Sequence, residues 1–127
     1  MTATLHQVYL MTADLEASTR FFETALGLER TETGDRSVAF ETGSCALKLE
    51  ADFDASTLAE FGLEPPGANR GDGAVVVLEV DDVRATHDRA VEAGADVLVP
   101  PREVPWGREL FLVRSPAGYV IEVSRPT

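Results

Sequence analysis

The chain has 127 residues, enough for one domain or for two small modules that share a sheet. Its formal net charge is −11, and Lys48 is the only lysine among its 11 basic residues. The lack of a basic cluster argues against nucleic-acid binding, and the apolar runs are too short to cross a membrane.

Two other features of the composition bear on where the protein works. The first residues do not show the basic and then apolar regions of a signal peptide, and the single Cys45 cannot form an internal disulfide. Both predict a cytoplasmic protein. The acidity is spread along the chain and has two readings, a solvated surface or a possible halophile adapted to high salt. Arginine use in place of lysine can also follow from a GC-rich genome.

The first half of the chain predicts one strand, one helix and three further strands. Residues alternate from Leu5 to Met11, which is typical of a strand. Asp14 is a good helix N-cap and Gly27 is a good C-terminal stop, so a helix is predicted between them. Three short strands separated by glycine-containing turns follow. They are Arg30 to Thr33, Ser37 to Glu41 and Cys45 to Glu50.

The stretch from Ala51 to Gly73 has a different composition. It combines several glycines with Pro65 and Pro66, and one short helix is predicted from Ser56 to Phe61. This pattern indicates a linker or lid between two modules.

The second half repeats the first. The apolar segment from Ala74 to Val80 predicts a strand, and Asp81-Asp82 caps a helix that Gly94 ends. A strand from Asp96 to Val99 is predicted to end at Pro100-Pro101. Two strands then form a closing hairpin around a turn with Pro116 and Gly118. They are Glu109 to Val113 and Tyr119 to Val123.

Each half therefore reads β-α-β-β-β, and the same element order in both halves indicates an internal repeat. A helix and four strands cover one sheet face and leave the other bare. The sequence predicts an α+β fold in which two tandem βαβββ modules form a curved eight-stranded mixed sheet. The helices lie outside and the sheet encloses a concave cavity. The modules span residues 1–52 and 74–127, with residues 53–73 as the connecting linker or lid.

Three segments carry a resemblance to a known family: VYLMTADLEASTRFFETALGL, LEVDDVRATHDRAVEAGADV and FLVRSPAGYVIEV. With them the chain resembles the vicinal oxygen chelate superfamily, which contains glyoxalase I, extradiol dioxygenases and bleomycin-resistance proteins. The resemblance implies paired βαβββ modules, usually in a homodimer, with a ligand site inside the concave sheet. In enzymatic members it also implies a divalent metal held by four ligands, typically His or Gln, Glu, His and Glu.

Carried over one by one, the four ligand positions fall on Gln7, Lys48, Val75 and Glu122. Lysine is a cation without a free lone pair, and valine has no ligand atom. The two remaining oxygen donors suit zinc, nickel or iron poorly, since these metals favour imidazole or thiolate. The sequence therefore predicts no metal site of the family type and no cofactor. It predicts instead an ion pair between Lys48 and Glu122 in the place of the metal.

The predicted ligand-binding residues lie on the faces that would line the cavity. They are Gln7, Tyr9, Lys48, Glu50, Val75, Val77, Trp106 and Glu122. Trp106, in a Pro-Trp-Gly loop, is either an aromatic wall over the ligand or a plug packed on its own hairpin. Glu122 is the candidate catalytic residue.

Three functions fit these expectations. The first is a bleomycin-resistance-like homodimer that binds a small organic molecule without a metal. The second is a metal-dependent lyase, isomerase or dioxygenase, with Glu122 as ligand or general base and Glu50 replacing the missing carboxylate. The third is a structural or regulatory dimer whose own side chains fill the cavity. Fold alone does not decide between them.

Overall fold

The computed structural model describes residues 2–127, and its helices and strands follow the predicted order. The first half contains β1 (Gln7–Thr12), α1 (Leu15–Arg20), a π-helical turn (Phe21–Ala25), β2 (Arg30–Thr33), β3 (Ser37–Glu41) and β4 (Ala46–Ala51). The linker carries α2 (Ala55–Glu60). The second half contains β5 (Val75–Glu79), α3 (Val83–Glu92), β6 (Asp96–Val104), β7 (Arg108–Arg114) and β8 (Val120–Pro126).

The strands form two four-stranded mixed sheets with the same internal order, β1-β4-β3-β2 and β5-β8-β7-β6. In each sheet the first strand runs parallel to the last strand of its module, and the other pairs are antiparallel. The prediction of a tandem βαβββ α+β fold is confirmed. The eight strands do not form one hydrogen-bonded sheet, and β1 and β5 are edge strands of two separate sheets.

Helix caps that are visible in the sequence set the ends of the helices. Asp14 accepts a hydrogen bond from the Ala17 amide at 3.0 Å, and Asp82 accepts one from the Ala85 amide at 3.0 Å. Each carboxylate thereby satisfies a backbone N–H that has no partner within its helix. Gly94 follows α3 with φ +79°, a conformation that favours glycine. Among residues 2–127, no helix is long and apolar enough to cross a membrane.

The first helix changes geometry before it ends, which the sequence did not predict. After Arg20 it widens into a π-helical turn, and the Leu26 amide donates to the Phe21 carbonyl at 3.3 Å. Phe21 and Phe22, although adjacent, are both buried and meet edge to face with their ring centroids 5.0 Å apart. Such wider turns occur as single insertions within α-helices.

One hydrophobic core joins the two halves. On the first sheet it contains Leu47, Leu49 and Phe40, and on the second it contains Phe111 and Ile121. The helices cover these faces, and α3 contacts the π-helical turn of the first half. Because strand residues alternate between faces, the opposite face of each sheet points away from this core. We call that opposite face the concave face.

The prediction that Pro100-Pro101 ends a strand is wrong. Strand β6 continues through both prolines to Val104. It lies at the edge of its sheet, and its register with β7 shifts between Val97 and Val99 and again before Arg102. Proline lacks a backbone donor, so edge strands and bulges are the places in a sheet where it is tolerated.

Candidate functional site

Four of the predicted site residues lie together on the concave face of the first sheet. In β1, Leu10 belongs to the core, so Gln7 and Tyr9 point to the opposite side. Strand register pairs Tyr9 with Lys48. Glu50 follows two residues further along β4 and therefore shares the face of Lys48.

The single lysine of the chain is neutralised within its own strand. Lys48 Nζ lies 2.9 Å from Glu50 Oε1, and the two side chains are 28% and 14% exposed. The predicted ion pair between Lys48 and Glu122 is wrong within the chain, because none of the ion pairs among residues 2–127 includes Glu122. Glu122 belongs to the other sheet, whereas Glu50 lies two positions away on the same face.

Three predicted residues, two valines and one glutamate, lie on the concave face of the second sheet. Val77 and Leu112 are the cross-strand neighbours of Glu122 on its two sides. Val75 and Val77 are 54% and 53% exposed. Large apolar side chains in adjacent exposed positions indicate a surface that contacts another molecule. Glu122 is half-buried between Val77 and Leu112.

An arginine that the sequence analysis missed organises the far end of the same face. Arg108 of β7 lies 3.0 Å from Glu79 Oε1 and donates to Ser124 Oγ at 2.9 Å. Ser124 is fully buried. The three residues come from three neighbouring strands, β7, β8 and β5. The available signal was alternation, because Arg108 has the parity of Leu112 and therefore shares its face.

Trp106 lies at the turn between β6 and β7, directly before Gly107 with φ +82°. It is 71% exposed. Within the chain it therefore does not pack as a plug on its own hairpin. Its predicted role as a wall over a ligand stays a prediction.

The linker is anchored at its two ends by one ion pair. Arg70 donates to both carboxylate oxygens of Asp52 at 2.6 Å each, and Arg70 Nη1 also donates to the Met11 carbonyl at 3.0 Å. The Tyr119 hydroxyl donates to the same carbonyl at 2.8 Å. We call the paired side chains of Asp52 and Arg70 the clasp. It closes the linker into a loop at the end of β1.

The clasp also changes the acid–base behaviour of both side chains. The hydrogen bonds from Arg70 lower the pKa of Asp52 below its ordinary value of 3.8, against a smaller opposing effect of burial. The same hydrogen bonds raise the pKa of Arg70. Stabilisation of the charged form by a charged donor is the physical cause of both shifts.

The donors at the four family ligand positions do not fit a metal centre. Lys48 is a cation already paired with Glu50, and Val75 offers no donor atom. Gln7 and Glu122 lie on two sheets that share no strand pairing. Among residues 2–127, no three His, Cys, Asp or Glu side chains are placed to hold one ion. The absence of a metal from the protein stays a prediction.

The chain matches the model of the Glyoxalase/Bleomycin resistance protein/Dioxygenase superfamily over residues 4–123. This match covers nearly the whole sequence, including both repeated modules and the linker between them.

Solved structures of proteins from several bacteria are similar over almost the full chain. A glyoxalase/bleomycin resistance protein/dioxygenase from Nocardioides is 25% identical with a TM-score of 0.73, over 98% of this chain and 83% of that one. A glyoxalase-related enzyme from Fulvimarina pelagi is 20% identical with a TM-score of 0.81, over 97% of this chain and 88% of that one. TioX from Micromonospora sp. ML1 is 21% identical with a TM-score of 0.75, over 99% of this chain and 100% of that one. The last two likenesses show the fold alone.

Proposed function

The chain belongs to the Glyoxalase/Bleomycin resistance protein/Dioxygenase superfamily, and from that premise we propose that it binds a small organic molecule on its concave faces without the family's metal. The observation that carries this proposal is the Lys48–Glu50 ion pair, 2.9 Å long, at a position where enzymatic relatives place a metal ligand. With Val75 at a second such position, the site keeps a pocket's apolar wall and lacks the donors for metal chemistry.

The second part of the proposal is that two copies of the chain close the site. Val75, Val77 and Tyr9 are 54%, 53% and 47% exposed, although all three lie on faces that should line a cavity. Strands β1 and β5 are both sheet edges. Unpaired apolar edges invite pairing with another chain. A second copy placed against these faces would cover the exposed side chains and supply the missing wall of the groove.

One observation favours an alternative, a metal-dependent lyase, isomerase or dioxygenase. Glu122 is half-buried between Val77 and Leu112 and takes part in none of the ion pairs among residues 2–127. A carboxylate in such surroundings is available as a general base or as a ligand.

The first test is the metal content of protein purified without chelators or affinity metals, followed by thermal shift with Mn, Fe, Co, Ni and Zn. We expect almost no bound metal per chain and no change in unfolding temperature with any of these metals. A ligand screen that follows the fluorescence of Trp106 would come next. One tightly held metal per chain that is lost in Glu122→Ala would contradict the binding proposal and support the enzyme. Glu92→Ala is the control, since it removes an exposed carboxylate that lies on α3 and not on a concave face.

A further inference from the structure

Part of the linker lies on the concave face of the first sheet. Leu58 of α2 is only 2% exposed, yet it does not belong to the main core. It lines one cleft together with Phe53 and Tyr9. Because Tyr9 points away from the core, α2 must cover the concave side of the sheet. The linker is therefore a wall of the groove as well as a connection.

The cleft between α2 and the sheet has the size of a small-molecule site. Its volume is about 320 Å³, at the lower end of the range usual for ligand pockets. Six residues line it, and all of them are uncharged. They are Tyr9, Phe53, Thr57, Leu58, Phe61 and Leu63.

Three of these residues stay exposed at the mouth of the cleft. Phe61, Leu63 and Tyr9 are 72%, 47% and 47% exposed. Scattered exposed apolar residues are ordinary, but three around one opening form a patch that another molecule would cover.

The charges near the cleft indicate which chemistry it would accept. Tyr9 is the cross-strand neighbour of Lys48, whose charge is already compensated by Glu50 at 2.9 Å. An ionic ligand would lose hydration in this lining, which contains no charged side chain to compensate it. An aromatic ring would instead gain contact with Phe61 and Tyr9, and the Tyr9 and Thr57 hydroxyls could meet a neutral polar substituent.

We propose that this cleft is a subsite for an uncharged aromatic group, which it holds at the end of the concave groove. The inference rests on the proposed binding function and adds the ligand's chemical class and the linker residues that recognise it. The clasp supports it, because the Asp52–Arg70 hydrogen bonds fix both ends of the linker before a ligand arrives. A preformed wall lowers the ordering cost of binding.

The linker is also held by a close backbone approach. Gly71 lies against the turn between β7 and β8, where a Cβ atom would come within 2.6 Å of the Gly118 carbonyl oxygen. Only glycine allows this approach. The wall therefore has a second fixed point, in the other half of the chain.

The test uses the full chain and the neutral dye N-phenyl-1-naphthylamine, whose fluorescence rises in apolar surroundings. We expect saturable binding to the wild type, and about tenfold weaker binding to Phe61→Ser, because that variant loses an aromatic contact. Phe61→Tyr should bind like the wild type. Val91→Ser is the matched control, since Val91 is 54% exposed on α3 and does not line the cleft. The anionic dye 8-anilinonaphthalene-1-sulfonate should bind more weakly than the neutral one.

The outcomes separate this inference from the proposed function. Dye binding that is weakened by Val77→Ser but unchanged in Phe61→Ser would place the ligand elsewhere in the groove, overturning the subsite and leaving the binding function intact. Absence of dye binding to the wild type, or tighter binding of the anionic dye, would also overturn it. Loss of the dimer in Phe61→Ser would assign the cleft to a second copy of the chain and overturn it as well.

Discussion

Lys48 and Glu50 occupy neighbouring positions on one face of β4, and this spacing explains why the lysine is not available to a partner in the other sheet. Alternation along a strand is a local property, so the sequence correctly predicted that both side chains share a face. Alternation could not show whether Glu122 of the other sheet would come equally close to Lys48, because that distance depends on how the two sheets dock. The predicted pair with Glu122 was wrong within the chain because Glu50 is the nearer carboxylate.

Lys48→Met should lower the free energy of unfolding by about 1–2 kcal/mol, because it leaves the largely buried Glu50 carboxylate without its cation. Urea denaturation at pH 7 measures this change. Lys48→Arg keeps the charge and should lose less. The double variant Lys48→Met/Glu50→Gln should recover part of the loss, and equal stability of Lys48→Met and the wild type would contradict the pair.

Asp52 predicts a dependence of stability on pH. Arg70 lowers the pKa of Asp52 below 3.8 in the folded chain, so the folded state favours the charged carboxylate. The stabilisation is therefore fully present above the unfolded pKa and is lost as pH falls through the lower folded pKa.

We accordingly expect Asp52→Asn to be less stable than the wild type at pH 7, by about 1 kcal/mol, and the difference to shrink at pH values below 3.8. Urea denaturation of both proteins across this range measures it. Glu64→Gln, an exposed carboxylate in the same linker, should show no such difference. A gap between Asp52→Asn and the wild type that widens on acidification would rule out the linkage.

At the scale of elements, the caps and the alternation were sufficient to predict most of the secondary structure. Asp14 and Asp82 both act as N-caps, as their positions before helical segments indicated. The π-helical turn had no comparable signal. Strand β6 passes through Pro100-Pro101 because it is an edge strand, and edge position is a property of the assembled sheet.

The linker shows the same limit of sequence reasoning. Its glycines and prolines indicated a flexible connection, and its helix was predicted to within a residue at each end. Its contact with the sheet was missed. The available signal was the presence of Phe53, Leu58, Phe61 and Leu63 in a stretch otherwise typical of a spacer.

The cap of α3 can be tested with adjacent aspartates. Asp82→Ala should lower the free energy of unfolding by about 1 kcal/mol, because the Ala85 amide loses its acceptor. Asp81→Ala is the control, since Asp81 is exposed and does not cap the helix. Thermal or urea unfolding of the two variants measures the difference. Equal losses would mean that general charge reduction, rather than the cap, is responsible.

At the scale of the whole molecule, one hydrophobic core holds the two modules together, while each concave face keeps exposed large side chains. The prediction of the tandem fold rested on the repeat and was correct. Whether the acidity reflects high salt, and whether the chain works in the cytoplasm, stay predictions. The repeat did not predict how the two sheets dock, because the pattern within each module is the same whatever element packs against it.

The proposed dimer gives a matched pair of substitutions. Val77 and Val91 are 53% and 54% exposed, but Val77 lies on edge strand β5 and Val91 on α3. Val77→Asp should weaken association by about tenfold or more, because it places a charge in an apolar contact. Val91→Asp should leave association unchanged. Light scattering over a range of protein concentrations measures both, and a monomeric wild type would contradict the dimer.

The clasp has a consequence for assembly. Its two residues flank the segment 53–69 and hold the two ends of that segment together, so the segment contributes almost nothing to the distance between the two halves of the chain. A free loop of this length would keep much conformational freedom, and most of that freedom is already spent when the single chain folds. A second copy would therefore meet a linker whose two ends are already fixed. Association would lose little further entropy in ordering the linker, and its strength would depend mainly on the contact surfaces.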